Sequence, residues 1–186
     1  MNRRQLLSGM LKLGSCGGLA LPLAFTPAAA QDSLGFNLLT GSRRLNLYRP
    51  ETKESLKLEY LRDGQWVGDA YYQICWFLRD WQADEYTLMD TELIAILDWT
   101  QWFLAQHGYT TPLHILSGFR TEATNKKITG SADNSQHLAG KAIDLHMPGL
   151  SPEYLASLFR WLRRGGVGVY PNKGSVHIDT GPLRSW

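Results

Sequence analysis

The chain has 186 residues, 44% hydrophobic and 19% charged, with a formal net charge of +2. That composition excludes a disordered polyelectrolyte and a strongly basic nucleic-acid binder. After the first thirty residues the chain is long enough for one compact domain with its own core and too short for two ordinary ones.

Residues 1–30 carry Arg3, Arg4 and Lys12 and no acid, and an apolar stretch from Leu6 to Phe25 ends in Thr26-Pro-Ala-Ala-Ala30. A basic start, an apolar middle and small residues at Ala28 and Ala30 are the three parts of a secretory signal peptide. The Arg pair ahead of Leu6 fits the twin-arginine type, whose cargo is exported to the periplasm. A general secretory signal and a lipoprotein site at Cys16 are the alternatives. The expected organisation is therefore a signal peptide over 1–30 and one working domain over 31–186. Cleavage removes three of 19 basic residues against 17 acids, leaving a net charge of −1. It also leaves Cys75 as the sole cysteine, which excludes an intramolecular disulfide. No later apolar run reaches the roughly 20 residues needed to span a bilayer.

In the remaining chain, residues 38–47 and 55–60 read as strands, the second from the alternation of Leu56, Leu58 and Tyr60. Asp63-Gly64 supplies a hairpin turn into Trp66-Val67. Helices are expected over 70–81 and from the cap Asp90 to the stop Gly108. Their residues Trp76, Trp81, Trp99 and Trp102 are read as core, with stacking platforms for sugar as the alternative. Leu113 begins a strand that runs into Ser117-Gly-Phe-Arg120. Residues 121–135 are polar without periodicity and read as a loop. Residues 141–146 read as a strand with Ala142, Asp144 and His146 on one face and Ile143 and Leu145 on the other. Ser151 and Pro152 open a helix that Gly165-Gly166 ends. Strands at 167–170 and 175–178 flank the turn Pro171-Asn-Lys-Gly174. The predicted fold class is α+β, a mostly antiparallel sheet with helices packed on one side.

The chemistry concentrates late in the chain. His137 precedes the turn at Gly140, Asp144 lies on the strand that follows, and His177 and Asp179 share one face of the last predicted strand. Two imidazoles and one carboxylate hold a zinc ion with its fourth position open, the arrangement used for amide hydrolysis. His146 is the competing ligand and is expected just outside the set. His107, at a helix end, and His114, on an apolar strand, read as structural.

The motifs Ser117-Gly-Phe-Arg120, Ser135-x-His137-x-x-Gly140-x-Ala142-x-Asp144-x-His146, Gly165-Gly-Val-Gly-Val-Tyr-Pro171 and Val176-His-Ile-Asp-Thr-Gly-Pro182 occur together, with Trp186 at the end. In these the chain resembles the zinc D-Ala-D-Ala peptidases, which share a fold with the hedgehog signalling domain and lysostaphin. Within that group it is similar to the YcbK-like (MepK) murein endopeptidases, from about Asn37 onward. The resemblance implies that His137, Asp144 and His177 hold Zn²⁺. It places Arg120 against the substrate, neutralising an oxyanion or holding a peptide carboxylate, and has Ser135 steady the His137 loop beside the substrate. It implies peptidoglycan stem peptides and cross-links as partners, with links between two diaminopimelate residues as the leading choice.

Many members of the group place a Glu or Asp three residues before the last histidine as general base, and here that position is Gly174. Asp179 is the candidate base, with the orientation of a zinc ligand as its other reading. A reversed assignment makes Asp179 the ligand and His177 the polarising group. The alternatives to an endopeptidase are a non-catalytic zinc module that binds cell-wall peptides and a carboxypeptidase that releases D-Ala.

Overall fold

A computed structural model describes residues 41–186, so the expected export signal lies outside the described residues. Strand β1 (Arg43–Arg49) pairs antiparallel with β2 (Glu54–Arg62), which turns back into the short β3 (Gln65–Trp66). The turn between β2 and β3 is the expected one: Asp63 and Gly64 both take positive φ, 51° and 78°, which suits a tight two-residue hairpin. The order across the eight-stranded sheet is β3-β2-β1-β4-β5-β7-β6-β8. The later strands are β4 (Leu113–Ser117), β5 (Ala142–His146), β6 (Gly166–Tyr170), β7 (Ser175–Asp179) and β8 (Arg184–Ser185). Only β1 with β4 and β6 with β8 run parallel, so the sheet is mostly antiparallel and the fold is α+β.

Alternation along the strands sorts the two faces. Leu45, Leu47, Leu113, Ile115, Ile143, Leu145, Val176 and Ile178 enter one core with residues of the three longer helices. These are α1 (Ala70–Phe77), α2 (Thr91–Gln106) and α4 (Pro152–Leu162). Asp144, between Ile143 and Leu145 on β5, must then point to the opposite face, because strand side chains alternate with a period of two. The antiparallel register sets Asp144 directly across from His177, so two of the three candidate ligands meet as a cross-strand pair.

Several expectations needed correction. The helix expected over 70–81 stops at Phe77. Beyond it, Asp80 and Glu85 exchange backbone hydrogen bonds of 2.9 and 3.2 Å, and the Asp80 carboxylate accepts from the N–H groups of Gln82 and Ala83, closing a turn that competes with further helix. The segment over 121–135 is not wholly irregular, since α3 (Glu122–Lys126) starts at Thr121, whose side chain accepts from Thr124 N–H. Five residues are too few to show a helical period. Of the four tryptophans read as core, Trp99 is buried, whereas Trp81 and Trp102 are 37% and 49% exposed.

Helix α4 begins at Ser151 and Pro152 as expected, but Arg163, at φ 54°, takes the left-handed cap position. Gly165 and Gly166 serve a different need. A Cβ on Gly165 would lie 1.8 Å from the Asp179 carbonyl oxygen, and one on Gly166 would lie 2.5 Å from the Asp179 carboxylate. Glycine lets these two backbones touch, and the contact encloses Asp179.

Candidate metal centre

Three elements bring the site together. Ser135 caps a single 3₁₀ turn (Gln136–Ala139), its Oγ accepting from His137 N–H, and Gly140 ends the turn at φ 68°. A Cβ on Gly140 would sit 2.8 Å from Thr87 Cγ2, so both the left-handed backbone and the close packing favour glycine. The turn delivers His137, 1% exposed, to the cross-strand pair Asp144 and His177.

Each ring is fixed through its outer nitrogen. His137 Nδ1 lies 2.6 Å from the Gly118 carbonyl oxygen, and His177 Nε2 lies 2.8 Å from Asp179 Oδ2. Both partners are acceptors, so these nitrogens donate, and the neutral rings present bare lone pairs at His137 Nε2 and His177 Nδ1. Those two atoms are 3.2 Å apart, and they lie 3.3 and 3.0 Å from Asp144 Oδ1. Three acceptors facing one another without a proton repel unless a cation stands between them. The spacing fits one: a tetrahedral zinc with bonds near 2.0–2.1 Å has ligand edges of about 3.3 Å. Among the described residues His137, Asp144 and His177 form the one such cluster, their ligand atoms within 4.8 Å of one another.

Without a metal the electrostatics act on the two rings in opposite senses, toward the neutral form of His137 and toward a proton on His177 that a cation would have to displace. Burial holds His137 below the usual histidine range, against the pull of Asp144. Burial also acts to lower His177, but hydrogen bonds to Asp144 and Asp179 outweigh it and raise the ring above its ordinary value. Desolvation opposes ionisation of Asp144, yet the two histidines and Arg120 hold it well below the carboxylate range.

Arg120 donates from Nε to Ser117 Oγ at 2.8 Å and pairs through Nη2 with Asp144 Oδ2. Asp144 thus offers one oxygen to the metal position and the other to Arg120. Asp179 lies behind His177: besides the ring it accepts from Arg184, from Gly166 N–H at 3.1 Å and from Gly181 N–H at 2.8 Å. Its side chain is fully buried. His146 does not adjoin the ligands. Its Nε2 meets His114 Nδ1 at 3.2 Å on the neighbouring strand, so the expectation that it backs the metal site is replaced by a His–His pair.

Three contributors were given no role from the sequence, although Gly118 and Trp186 stand in or beside its motifs. Gly118 matters through its carbonyl, which any residue possesses, although the Ser117-Gly-Phe-Arg120 motif contains it. Arg184 anchors Asp179, and Trp186 packs its ring against His177 with centroids 5.2 Å apart. Gly168 admits that tryptophan, since a Cβ there would lie 2.5 Å from the indole.

The cluster floors a cleft of about 770 Å³. Arg120 and Lys173 contribute positive charge to its lining, Tyr170 and Trp186 contribute aromatic surface, and Ser135 lies on its rim. Asp144 is the one carboxylate in the lining. Gly174, at φ 64°, closes the 3₁₀ turn Pro171–Lys173 in the left-handed region, which glycine adopts without steric cost.

An α+β sheet with helices on one face and a buried three-ligand cluster under a cleft on the other defines a domain built around a candidate metal centre. The chain belongs to the family described as peptidoglycan L,D-endopeptidase MepK, which matches residues 38–186. It is 33% identical to peptidoglycan L,D-endopeptidase MepK of Escherichia coli K12 over 189 aligned positions, covering 100% of this chain and 97% of that one. The probable peptidoglycan L,D-endopeptidase MepK of Haemophilus influenzae is 29% identical, with 92% of each chain covered. No solved structure matches the chain.

Proposed function

We propose that the protein is a zinc-dependent murein endopeptidase that hydrolyses peptide cross-links of peptidoglycan, with bonds between two diaminopimelate residues as the leading substrate. The observation that carries this reading is the triangle of His137 Nε2, His177 Nδ1 and Asp144 Oδ1 at the floor of a peptide-sized cleft. Family membership supports the substrate class, since the relatives bear the name peptidoglycan L,D-endopeptidase.

His137, Asp144 and His177 would hold Zn²⁺, which would supply Lewis-acid polarisation of the scissile carbonyl and a water acidic enough to attack it near neutral pH. The chain's own residues do the rest. Gly118 and Asp179 hold the two imidazoles in the tautomers that leave His137 Nε2 and His177 Nδ1 free. Arg120, already beside Asp144, places a guanidinium where negative charge develops on the carbonyl oxygen. Tyr170 accepts the Trp186 indole N–H at 3.1 Å, so its own proton can be donated to a peptide lying in the cleft. Ser135 keeps the His137 turn in place from the rim.

Asp179 acts through His177 and is a positioning residue. Its carboxylate is surrounded by four donors and lies on the far side of the ring from the ligand nitrogen. The candidate role as proton acceptor, and the reversed assignment with Asp179 on the metal, both require that oxygen to reach the cleft. Residues 1–30 act as a twin-arginine signal that delivers domain 31–186 to the periplasm, where this substrate is found. Among the described residues no helix is long and apolar enough to cross a membrane.

One observation favours a second reading, a zinc module that binds cell-wall peptides without cutting them: the cleft has no carboxylate apart from Asp144. Incubation of the purified, zinc-loaded protein with cross-linked muropeptides separates the two. Cleavage into monomers that stops on chelation and returns with added zinc is expected. Binding without cleavage would select the module, and release of free D-Ala from monomers would select a carboxypeptidase.

A further inference from the structure

Beside the metal cleft lies a smaller cavity of about 190 Å³. The two meet at Leu116, Ser117, Arg120 and Ile128, which line both. At the side pocket's wall is Arg49, the last residue of β1 and wholly buried.

Arg49 spends only part of its donor capacity. Its Nη2 donates to the carbonyls of Phe77 and Arg79 at the end of α1. Its Nε and Nη1 have no hydrogen-bond partner, and the nearest carboxylate oxygen, on Glu54, is 3.9 Å from Nε. A buried guanidinium with two unpartnered nitrogens, which carry three N–H donors between them, is costly, because the water it gave up has not been replaced.

The other charges around this pocket are already satisfied. Arg79 is held by Glu54 and Asp84, and Arg120 by Ser117 and Asp144. Asp80 accepts from Thr121 N–H and Oγ1 and from the N–H groups of Gln82 and Ala83. Glu51 is exposed to solvent. Arg49 is therefore the group with donors to offer, and the group that answers a planar fork of N–H donors is a carboxylate. Burial lowers the Arg49 pKa, but an arginine keeps its proton across the physiological range.

We propose that Arg49 is the receptor for a free carboxylate of the substrate, seated in this side pocket while the neighbouring amide lies over the metal cleft. The proposal rests on the reading of the cleft as a peptide site. Cross-linked stem peptides offer such a group: a diaminopimelate residue bonded through its amines and one carboxyl keeps its other carboxylate. Arg49 would then select acidic over amidated peptides, while Arg120 serves the reacting carbonyl.

The test compares a cross-linked peptide carrying the free carboxylate with its carboxamide counterpart. KM is measured on the zinc-loaded enzyme, and binding is measured by calorimetry on the chelated protein, where nothing is cleaved. The wild type is expected to favour the acid by about tenfold or more in both, the scale of a lost charge-assisted hydrogen bond. Arg49→Met should abolish that preference by weakening the acid alone, with amide binding unchanged as the sign of an intact fold. Arg49→Lys should retain part of it. Equal handling of the two peptides by the wild type, a comparison that needs no variant to fold, overturns the proposal even if both are cleaved. Arg49-dependent preference in binding without any cleavage would sustain the pocket and sink the hydrolase.

Discussion

Asp179 and His177 stand two apart on β7, and sharing a strand face is compatible with either a base or an orienting partner. The geometry supports the proposed orienting role, because the Asp179 oxygen contacts Nε2 while Nδ1 faces Asp144 and His137. Asp179→Ala is expected to weaken zinc binding about 10–100-fold, the usual effect of deleting a carboxylate behind a metal-ligating imidazole. Activity should return when zinc is raised to saturation. A competition assay with a chromophoric chelator gives the affinity, and activity that stays lost at saturating zinc would restore Asp179 as the base. Gly118 tests the other ring. A Cβ at this position would lie 2.3 Å from the Leu78 carbonyl oxygen, so Gly118→Ala must displace the carbonyl that holds His137 Nδ1. Loss of about 1–3 kcal/mol of stability in urea unfolding is expected from overpacking, together with weaker zinc binding.

At the scale of elements, helix α2 does more than cover the sheet. Its cap Asp90 accepts from Glu92 N–H with Oδ1, and with Oδ2 accepts from Thr180 Oγ1 at 2.8 Å, just beyond β7. The Asp90 N–H donates to the Gly140 carbonyl at the end of the His137 turn. One residue thus joins the helix start to both segments that deliver the candidate histidine ligands. Asp90→Ala should cost about 0.5–2 kcal/mol through the lost cap. A fall in the thermal midpoint measures that loss, and Asp90→Asn, which keeps an acceptor, should recover most of it. The short C-terminal strand β8 works similarly at the other edge, where Trp186 exchanges backbone hydrogen bonds with Val167 and Val169 and brings its ring to His177.

Over the whole molecule, ion pairs make the fold sensitive to acid. Glu54 is held below its ordinary pKa by Arg79 and Thr52, and Asp80 by Thr124 and Thr121, each against the opposing effect of burial. Asp179 is depressed by His177 and Arg184, again against burial. A carboxylate with a lower pKa folded than unfolded contributes stability above the unfolded value, near 3.9–4.3, and loses it as pH falls toward the folded value. Asp98 has the opposite sign, because burial raises it despite Arg43 and Tyr60, so its contribution weakens as pH rises. Glu54, Asp80, Asp179 and the similarly depressed Asp144 outweigh the single raised Asp98, which predicts that the chelated protein loses stability from about pH 5 downward. Urea midpoints across that range check the slope, and Asp80→Asn should make it shallower.

The sequence by itself determined the fold class, the hairpin at Asp63-Gly64, the caps at Asp90 and Ser151 and the residue types that meet in the candidate metal cluster. Each is written in local order: alternation for strands, a polar residue ahead of an apolar period for helices, and ligand-bearing side chains on one strand face. The length of α1 and the short α3 were less legible, since competing side-chain hydrogen bonds stop one and the other is too brief to show a period. Tertiary structure decided what depends on distant atoms. It opposed Asp144 to His177 by strand register, took His146 out of the site by pairing it with His114, and put Asp179 behind its ring. It assigned Gly165 and Gly166 to a close approach to Asp179 where a helix stop was expected, and left Arg49 with donors to spare beside the cleft. The physical reason is common to all of these. A residue's type fixes which bonds it can make, but which nitrogen faces a metal and which faces a carboxylate is set by chain segments far apart in sequence.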